Sequence, residues 1–314
     1  MIIALAGGVG GARLAQGLVQ VLGAADLTLV VNVGDDFEHL GLTICPDLDT
    51  VMYTLAGVQN PATGGGRADE TWNFMETLDR LGGETWFRLG DRDLAVHVER
   101  TRRLAAGEAL SAITCDFFAR FGIGHTVLPA TDQRLRTRVS TDAGELAFQD
   151  YFVRHRAEPV VRALHFEGGA QASPAPALAA LIASGTVRGI VICPSNPWLS
   201  VDPILAVPAI AALIDEQSIP VLAVSPIIAG QAVKGPAAKI MRELGAGGDA
   251  LGVVDHYGKR VGGWVIDRQD ALLAPAVEAR GRAVRVTETL MTTPERARAL
   301  AADALDLLER MRTQ

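Results

Sequence analysis

The first eighteen residues, MIIALAGGVGGARLAQGL, restrict the fold more than any other stretch. Met1–Ala6 is an uncharged apolar run, the pattern of a strand buried on both faces. Gly7, Gly8, Gly10 and Gly11 follow at once, and Ala12–Leu22 carries apolar residues at helical spacing. A strand, a glycine turn and a helix start in that order make a phosphate site. Glycine lets the backbone close on an anion, and the free N–H groups at the helix N-terminus point at it. Arg13, on the first turn, adds a guanidinium fork for a phosphate oxygen. A tight strand–helix turn that binds nothing is the plainer alternative. Two familiar templates are disfavoured. No Lys completes a Walker loop, and Arg13 stands where a dinucleotide fingerprint needs its third glycine. The second strand, Leu27–Val33, also ends in Asn32-Val33-Gly34-Asp35-Asp36 rather than in one acid for an adenosine ribose. A mononucleotide or a nucleoside-diphosphate conjugate remains open.

A chain of 314 residues, 49% hydrophobic and 21% charged, has material for one large α/β domain with an insertion. Its formal charge of −7 argues against nucleic-acid binding, so an anionic ligand must be held by local groups. Cys45, Cys115 and Cys193 are odd in number and show no metal-ligand spacing, which fits a reducing compartment. The first apolar run lacks a basic flank, and no run approaches the ~18 apolar residues of a membrane span. A soluble cytoplasmic protein is expected, with small-molecule substrates, a homodimeric state, and neither nucleic acid nor membrane as partner.

After the first strand–helix–strand unit the pattern changes. Asp49–Gly57, Glu70–Leu81, Leu94–Leu104 and Glu108–Phe121 read as helices, with Gly64-Gly65-Gly66 as a loop among them. This predicts a helical subdomain at 43–124 inserted into a nucleotide-binding domain of 1–42 and 125–314. Arg136–Phe152 alternates around Thr141–Gly144 and predicts a β-hairpin. Strands are then expected at Val161–Phe166, Gly189–Cys193, Pro220–Val224, Leu251–Val254, Trp264–Ile266 and Ala283–Val286. Helices are expected at Pro176–Ser184, Pro203–Glu216, Pro236–Leu244 and Pro294–Arg310, the last capped by Thr293. The class is therefore α/β: a Rossmann-like, mostly parallel sheet covered by helices on both faces, with ligands at the carboxyl ends of its strands.

Four loops share that edge. Besides the glycine turn they are Asn32–Asp36, Pro194-Ser195-Asn196-Pro197, and Ser225–Pro236 with Lys234 near its end. Gly8, Gly10, Gly11, Arg13, Asn32, Ser195, Asn196, Ser225 and Lys234 are the candidate nucleotide and phosphate contacts. Asp47 and Asp49 open a helix; Asp47 reads as a cap or a dipole partner, whereas Asp49 is within expected reach of Asp35 and Asp36. Oxygen ligands without paired His or Cys suit Mg²⁺ bridging a diphosphate, so Asp35 and Asp49 are the expected metal ligands, with Asp36 in support. Arg88-Leu89-Gly90-Asp91-Arg92-Asp93 lies beside Trp86 and Phe87, either a salt-bridged loop or a wall for a planar ligand. The six histidines show no ligand spacing or triad, and Ser195 lacks a nucleophile elbow, so acyl transfer is disfavoured.

Taken together, GGVGGAR at 7–13, NVGDD at 32–36, CPDLDT at 45–50, ETWN at 70–73 and LGDRDLA at 89–95 form a recognisable series. FQDYFVR at 148–154, PSNPWLSVDPIL at 194–205, SPIIAGQAVKGPAAK at 225–239 and LMT at 290–292 continue it. The chain resembles the 2-phospho-L-lactate transferase family of coenzyme F420 biosynthesis, in its bacterial branch. CPDLDT and LGDRDLA discriminate most, because a related nucleotide-sugar-binding regulatory family shares the glycine-rich start. The resemblance implies a guanosine-diphosphate-linked three-carbon acid as donor, the deazaflavin Fo as acceptor, GMP as leaving group and Mg²⁺ as cofactor. It places Asp49 and Arg88 at Fo-contacting positions, with Trp72, Asn73, Gly90 and Asp91 around them. The bacterial pattern implies a phosphoenolpyruvate-derived donor. A non-catalytic nucleotide-sugar sensor is the second reading, and a nicotinamide oxidoreductase a third.

Overall fold

In the computed structural model, which describes residues 1–313, the opening apolar run forms β1 (Ile2–Ala6) with every residue buried. α1 (Gly8–Val21) follows directly, and β2 (Leu27–Val31) pairs parallel with β1. A short hairpin, β3 (Phe37–His39) and β4 (Leu42–Ile44), leads into α2 (Pro46–Leu55). Pro46 opens that helix ahead of the expected start at Asp49, because a missing N–H matters least on a first turn. α3 (Asn73–Arg80), α4 (Asp91–Ala105) and α5 (Leu110–Arg120) complete the helical stretch. Met52 of α2, Val96 of α4 and Phe117 of α5 belong to the main core, while Met75 of α3 packs with Ile44 and Leu89 in a second, small cluster.

β5 (Thr126–Pro129), too short for any alternation to mark it, pairs parallel with β2 at the sheet edge. β6 (Arg136–Thr141) and β7 (Gly144–Ala147) form the hairpin read from the alternation. The expected return to the parallel sheet at Val161–Phe166 does not occur. β8 (Val161–Glu167) runs antiparallel to β6 in a separate three-stranded sheet. Its sequence, VRALHFE, mixes charged and apolar residues as a strand with one solvated face does, unlike the all-buried parallel strands.

α6 (Pro176–Ala183), β9 (Gly189–Ile192), α7 (Asp202–Leu205), α8 (Pro208–Asp215) and β10 (Val221–Val224) restore the strand–helix alternation. Pro208 cannot continue a helix, so the segment expected as one helix over Pro203–Glu216 is two. A minimal hairpin, β11 (Ile227–Ile228) and β12 (Gln231–Ala232), precedes α9 (Ala237–Glu243). Leu251–Val254, expected as a strand, lies inside α10 (Ala250–Tyr257). A short apolar run carries either period, and Asp249 decides by accepting from the Gly252 amide at 3.1 Å as an N-cap. β13 (Gly263–Asp267), α11 (Ala274–Glu278), β14 (Ala283–Thr287) and α12 (Pro294–Thr313) follow, and Thr293 Oγ1 accepts from the Arg296 amide.

The seven strands of the central sheet are parallel, in the order β14-β13-β10-β9-β1-β2-β5. The order reverses between β1 and β9. In a doubly wound sheet a crevice opens at the carboxyl ends of the strands flanking such a reversal. Here those ends carry Gly7–Gly11 and Pro194–Pro197, so the Rossmann-like topology itself brings these two loops together. Among the described residues no single helix is long and apolar enough to cross a membrane.

Candidate active site

β1 delivers the chain to the crevice, and Gly8 turns it into α1 with a φ of 62°, a conformation that side chains disfavour. Further along the turn, a Cβ on Gly10 would lie 2.3 Å from the Pro194 carbonyl oxygen, and one on Gly11 2.4 Å from Ser195 Oγ. The start of α1 and the loop after β9 are therefore one packed unit. Buried Ser195 accepts from the Gly7 amide at 3.0 Å. Asn196 Oδ1 accepts from the amides of Trp198 and Leu199, and buried Ser225 bonds both the N–H and the C=O of Ile227. These three side chains, expected to touch a nucleotide, also bond the protein's own backbone and so shape the loops that carry them.

Asp47 and Asp49 stand two residues apart on α2, about 200° around the helix, so only one can face the glycine turn. The structure gives that face to Asp47. Its Oδ1 accepts from the Gly8 amide at 2.7 Å and its Oδ2 from Asn32 Nδ2 at 3.0 Å. It makes no side-chain cap on its own helix but lies in its first turn, so of the two roles expected for it only the position of a dipole partner is kept. Asn32 Nδ2 also donates to Asp35 Oδ1 at 2.9 Å, and its Oδ1 takes the Gly34 amide at 2.7 Å. One buried amide thus joins two buried carboxylates. Asp49 turns to Arg100 in a buried ion pair, with one bond at 3.1 Å, and lies 3.7 Å from His97 Nδ1. Asn32 thus links Asp35 to Asp47, while the Asp49 charge acts on Asp36, the other carboxylate expected near it.

Burial raises the Asp47 carboxyl to about 6 and that of Asp36 to about 7, although the Arg136 charge opposes the second shift. Asp35 is pushed well above the carboxylate range by burial and then by the Asp47 charge. Asp36 Oδ1 is buried with no hydrogen-bond partner. Asp35 and Asp47 offer desolvated carboxylate oxygens, and Mg²⁺ is commonly held by one or two carboxylates together with substrate phosphates, so a divalent cation would relieve the repulsion between them. The residues present therefore fit that metal. Elsewhere among the described residues, Asp49, Asp93 and His97 bring three possible ligand atoms within 4.8 Å of one another.

A carboxyl whose folded pKa lies above its unfolded value binds more protons folded than unfolded, so its stability contribution falls as pH rises. The window runs from the ordinary Asp value of about 4 up to about 6 for Asp47 and about 7 for Asp36. The metal-free protein is expected to gain stability through these groups as pH falls across that window. Thermal melts with and without Mg²⁺ check this: the cation should raise the midpoint above the window and have little effect near its lower end. An equal Mg²⁺ effect at both ends contradicts the site.

Lys234 has its pKa lowered by burial and then by the charge of Arg13. Gly64, from the loop between α2 and α3, lies over it: a Cβ there would be 3.0 Å from Val9 Cγ1 and 3.2 Å from Lys234 Nζ. Lys234 near Val9 at the start of α1, with Arg13 further along the same helix, forms an anion-binding arrangement.

Trp72, Asn73, Arg88 and Asp91 come together where α3 meets α4, and Gly90 is the residue before α4. The exposed Arg88 guanidinium lies 4.0 Å from the Trp72 ring centre. Asp91 accepts from the amides of Asn73 and Phe74, and Glu70 from those of Arg92 and Asp93. Each carboxylate caps the other segment's helix, and the hydrogen bonds to Thr71, Phe74 and Asn73 hold Asp91 at about 2. A separate cavity of about 490 Å³ opens beside Asp35 and Asp36, lined by Phe37, Trp86, Phe148 and Arg136 among others. Trp86 was singled out as a wall for a planar ligand, and its neighbour Phe87 packs edge-on to Phe37 at 4.8 Å. Phe37, Phe148 and Arg136 were missed; the arginines at alternate positions 134, 136 and 138 were the available signal.

Fold and site together define a Rossmann-like α/β protein with an anion-type crevice beside a buried carboxylate group. The chain belongs to the family described as 2-phospho-L-lactate transferase CofD, whose model matches residues 2–304. Phosphoenolpyruvate transferase of Streptomyces griseus is 44% identical over 317 residues, with 99% of each chain covered. The phosphoenolpyruvate transferase of Streptomyces coelicolor is 42% identical with 99% of each covered, and that of Mycolicibacterium smegmatis 38% with 98% of each. Among solved structures, a UPF0052 family member from Bacillus halodurans is similar in fold, with a TM-score of 0.62 at 14% identity, covering 97% of this chain and 98% of that one.

Proposed function

We propose that the protein transfers a phosphoenolpyruvyl group from its GMP conjugate, an enolpyruvyl guanosine diphosphate, to the deazaflavin Fo, giving dehydro-F420-0 and GMP in coenzyme F420 biosynthesis. The observation that carries this reading is the Asp47–Asn32–Asp35 group, which touches the start of α1 through Gly8 and borders the aromatic cavity through Asp35. The relatives named phosphoenolpyruvate transferase favour that donor over phospholactate or phosphoglycerate conjugates.

The terminal ribityl hydroxyl of Fo attacks the phosphorus bearing the three-carbon acid, the P–O bond to GMP breaks, and the hydroxyl proton is released. Such a step needs alignment and charge neutralisation more than covalent help. Arg13 and Lys234 hold the diphosphate oxygens against a chain of net charge −7. Asp35 and Asp47, with Asp36 beside them, would hold Mg²⁺, which neutralises charge on the diphosphate when bound. Phe37, Trp86 and Phe148 give the deazaflavin an aromatic cavity wall. Asp49 pairs with Arg100 and so holds α2 against α4.

Arg88, exposed on Trp72, keeps the acceptor role that the family pattern implies. Arg88→Ala is expected to raise the KM for Fo severalfold and leave that of the guanosine donor nearly unchanged in steady-state assays. Equal weakening of both makes Arg88 a support of the α3–α4 joint. Fo absorbs visible light, so a direct titration tests the acceptor site. Saturable micromolar binding is expected. Its absence at high micromolar Fo contradicts the transferase reading and favours a nucleotide-sugar-binding regulator.

A further inference from the structure

We propose that Arg136 binds the carboxylate of the three-carbon acid and so selects an acid-bearing guanosine donor over a neutral one such as a nucleotide-sugar. The assignment rests on the transfer reaction proposed above. Four arginines border the cavity beside Asp35 and Asp36. Arg134 and Arg138 are paired with Glu167, and Arg154 with Glu84 and Asp150. Among the described residues, Arg136 is the cavity arginine without a carboxylate partner. Its Nη1 donates to the Leu135 carbonyl at 2.8 Å, which fixes one corner of the guanidinium and leaves the rest of the fork free.

The position of Arg136 relative to the acidic loop is set by backbone. The Thr137 amide donates to the Gly34 carbonyl at 2.8 Å, holding β6 against Gly34-Asp35-Asp36. Its charge also acts on the Asp36 carboxyl. A carboxylate entering beside Asp35 and Asp36 meets two acids and needs a cation at the same wall. Arg13 and Lys234 serve the diphosphate at the start of α1, so they do not meet that need. A planar guanidinium matches a carboxylate through two parallel bonds, which an ammonium does not reproduce. A neutral group at that place would leave the guanidinium unpaired, and this penalty is what excludes the wrong donor.

The test compares two guanosine diphosphate conjugates with Fo as acceptor, one carrying the enol acid and one its primary amide, equal in size but uncharged. Arg136→Gln is expected to lower kcat/KM for the acid about a hundredfold, the effect of losing a charged hydrogen-bonded pair. The amide, already a poor donor for the wild type, should be nearly unaffected. Arg136→Lys should recover only part of the loss. Equal losses on both donors from Arg136→Gln overturn the assignment and leave the transferase standing. A wild-type enzyme that transfers from neither conjugate overturns both.

Discussion

Asp47→Asn is expected to slow transfer roughly a hundredfold or more while the fold survives. The substitution keeps the shape, and an amide oxygen still accepts from the Gly8 N–H, while the new amide nitrogen gives up the bond that Asp47 Oδ2 takes from Asn32. What disappears is one of the two carboxylates joined by Asn32, and with it half of the charge that would hold Mg²⁺ against the diphosphate. Because the Asp47 charge is a cause of the raised Asp35 pKa, its removal also relieves repulsion. The relieved repulsion offsets the lost Asn32 bond, so the melting midpoint of the metal-free variant should stay near that of the wild type at neutral pH. Single-turnover rates at saturating Mg²⁺ check the first part, and near wild-type turnover contradicts it.

Asp49→Asn should show the reverse pattern. Asp49 and Arg100 are both buried, and the guanidinium would be left without a counter-ion. Breaking one side of a buried ion pair costs about 3–5 kcal/mol. The loss should appear in urea unfolding as a lower midpoint. The pair belongs to a wider buried group in which Tyr53 donates to Asp93, and His97 Nε2 stands 3.4 Å from Asp93. That group ties α2 to α4, so the variant should fail by loosening this joint. Replacing both partners, as Asp49→Leu with Arg100→Met, should restore much of the stability, since two apolar groups leave no orphaned charge. Unchanged unfolding together with lost turnover would return Asp49 to the acceptor-contacting role that the family pattern implies.

The contrast between these two aspartates shows how far the sequence could be read. The β1–turn–α1 unit was legible because every signal in it is local: an apolar run, four glycines, then helical spacing. The doubly wound sheet was legible for the same reason, strand by strand. Which carboxylate of CPDLDT faces the crevice was not, because it depends on helix phase, and Pro46 starts α2 before the expected residue. Leu251–Val254 went astray because a short apolar run has no period of its own, and Asp249 carried the missing information as an N-cap. β8 was assigned to the wrong sheet because pairing partners are a long-range property; its polar alternation was the clue. The cavity was illegible for a related reason. It joins the Asp35–His39 segment, Trp86, β6 and Phe148, which are distant in sequence and meet only in the fold. Ser195, Asn196 and Ser225 were identified as important residues of loops that do line the crevice, yet their hydroxyls and amide satisfy backbone groups. Residue type alone does not distinguish a ligand contact from a loop brace.

The most direct measurement of the central claim is a competition in one vessel. Fo and Mg²⁺ are supplied with the GMP conjugates of phosphoenolpyruvate, phospholactate and phosphoglycerate, and the products are weighed by mass spectrometry. A pocket that merely tolerates an extra hydroxyl discriminates only about a hundredfold, whereas one built to bond it reaches ~10⁴, so one product should dominate if the pocket is specific. The expected result is dehydro-F420-0 together with an equal amount of GMP. A dominant phospholactate or phosphoglycerate adduct would contradict the donor, and no adduct of Fo with any of the three would contradict the transferase itself.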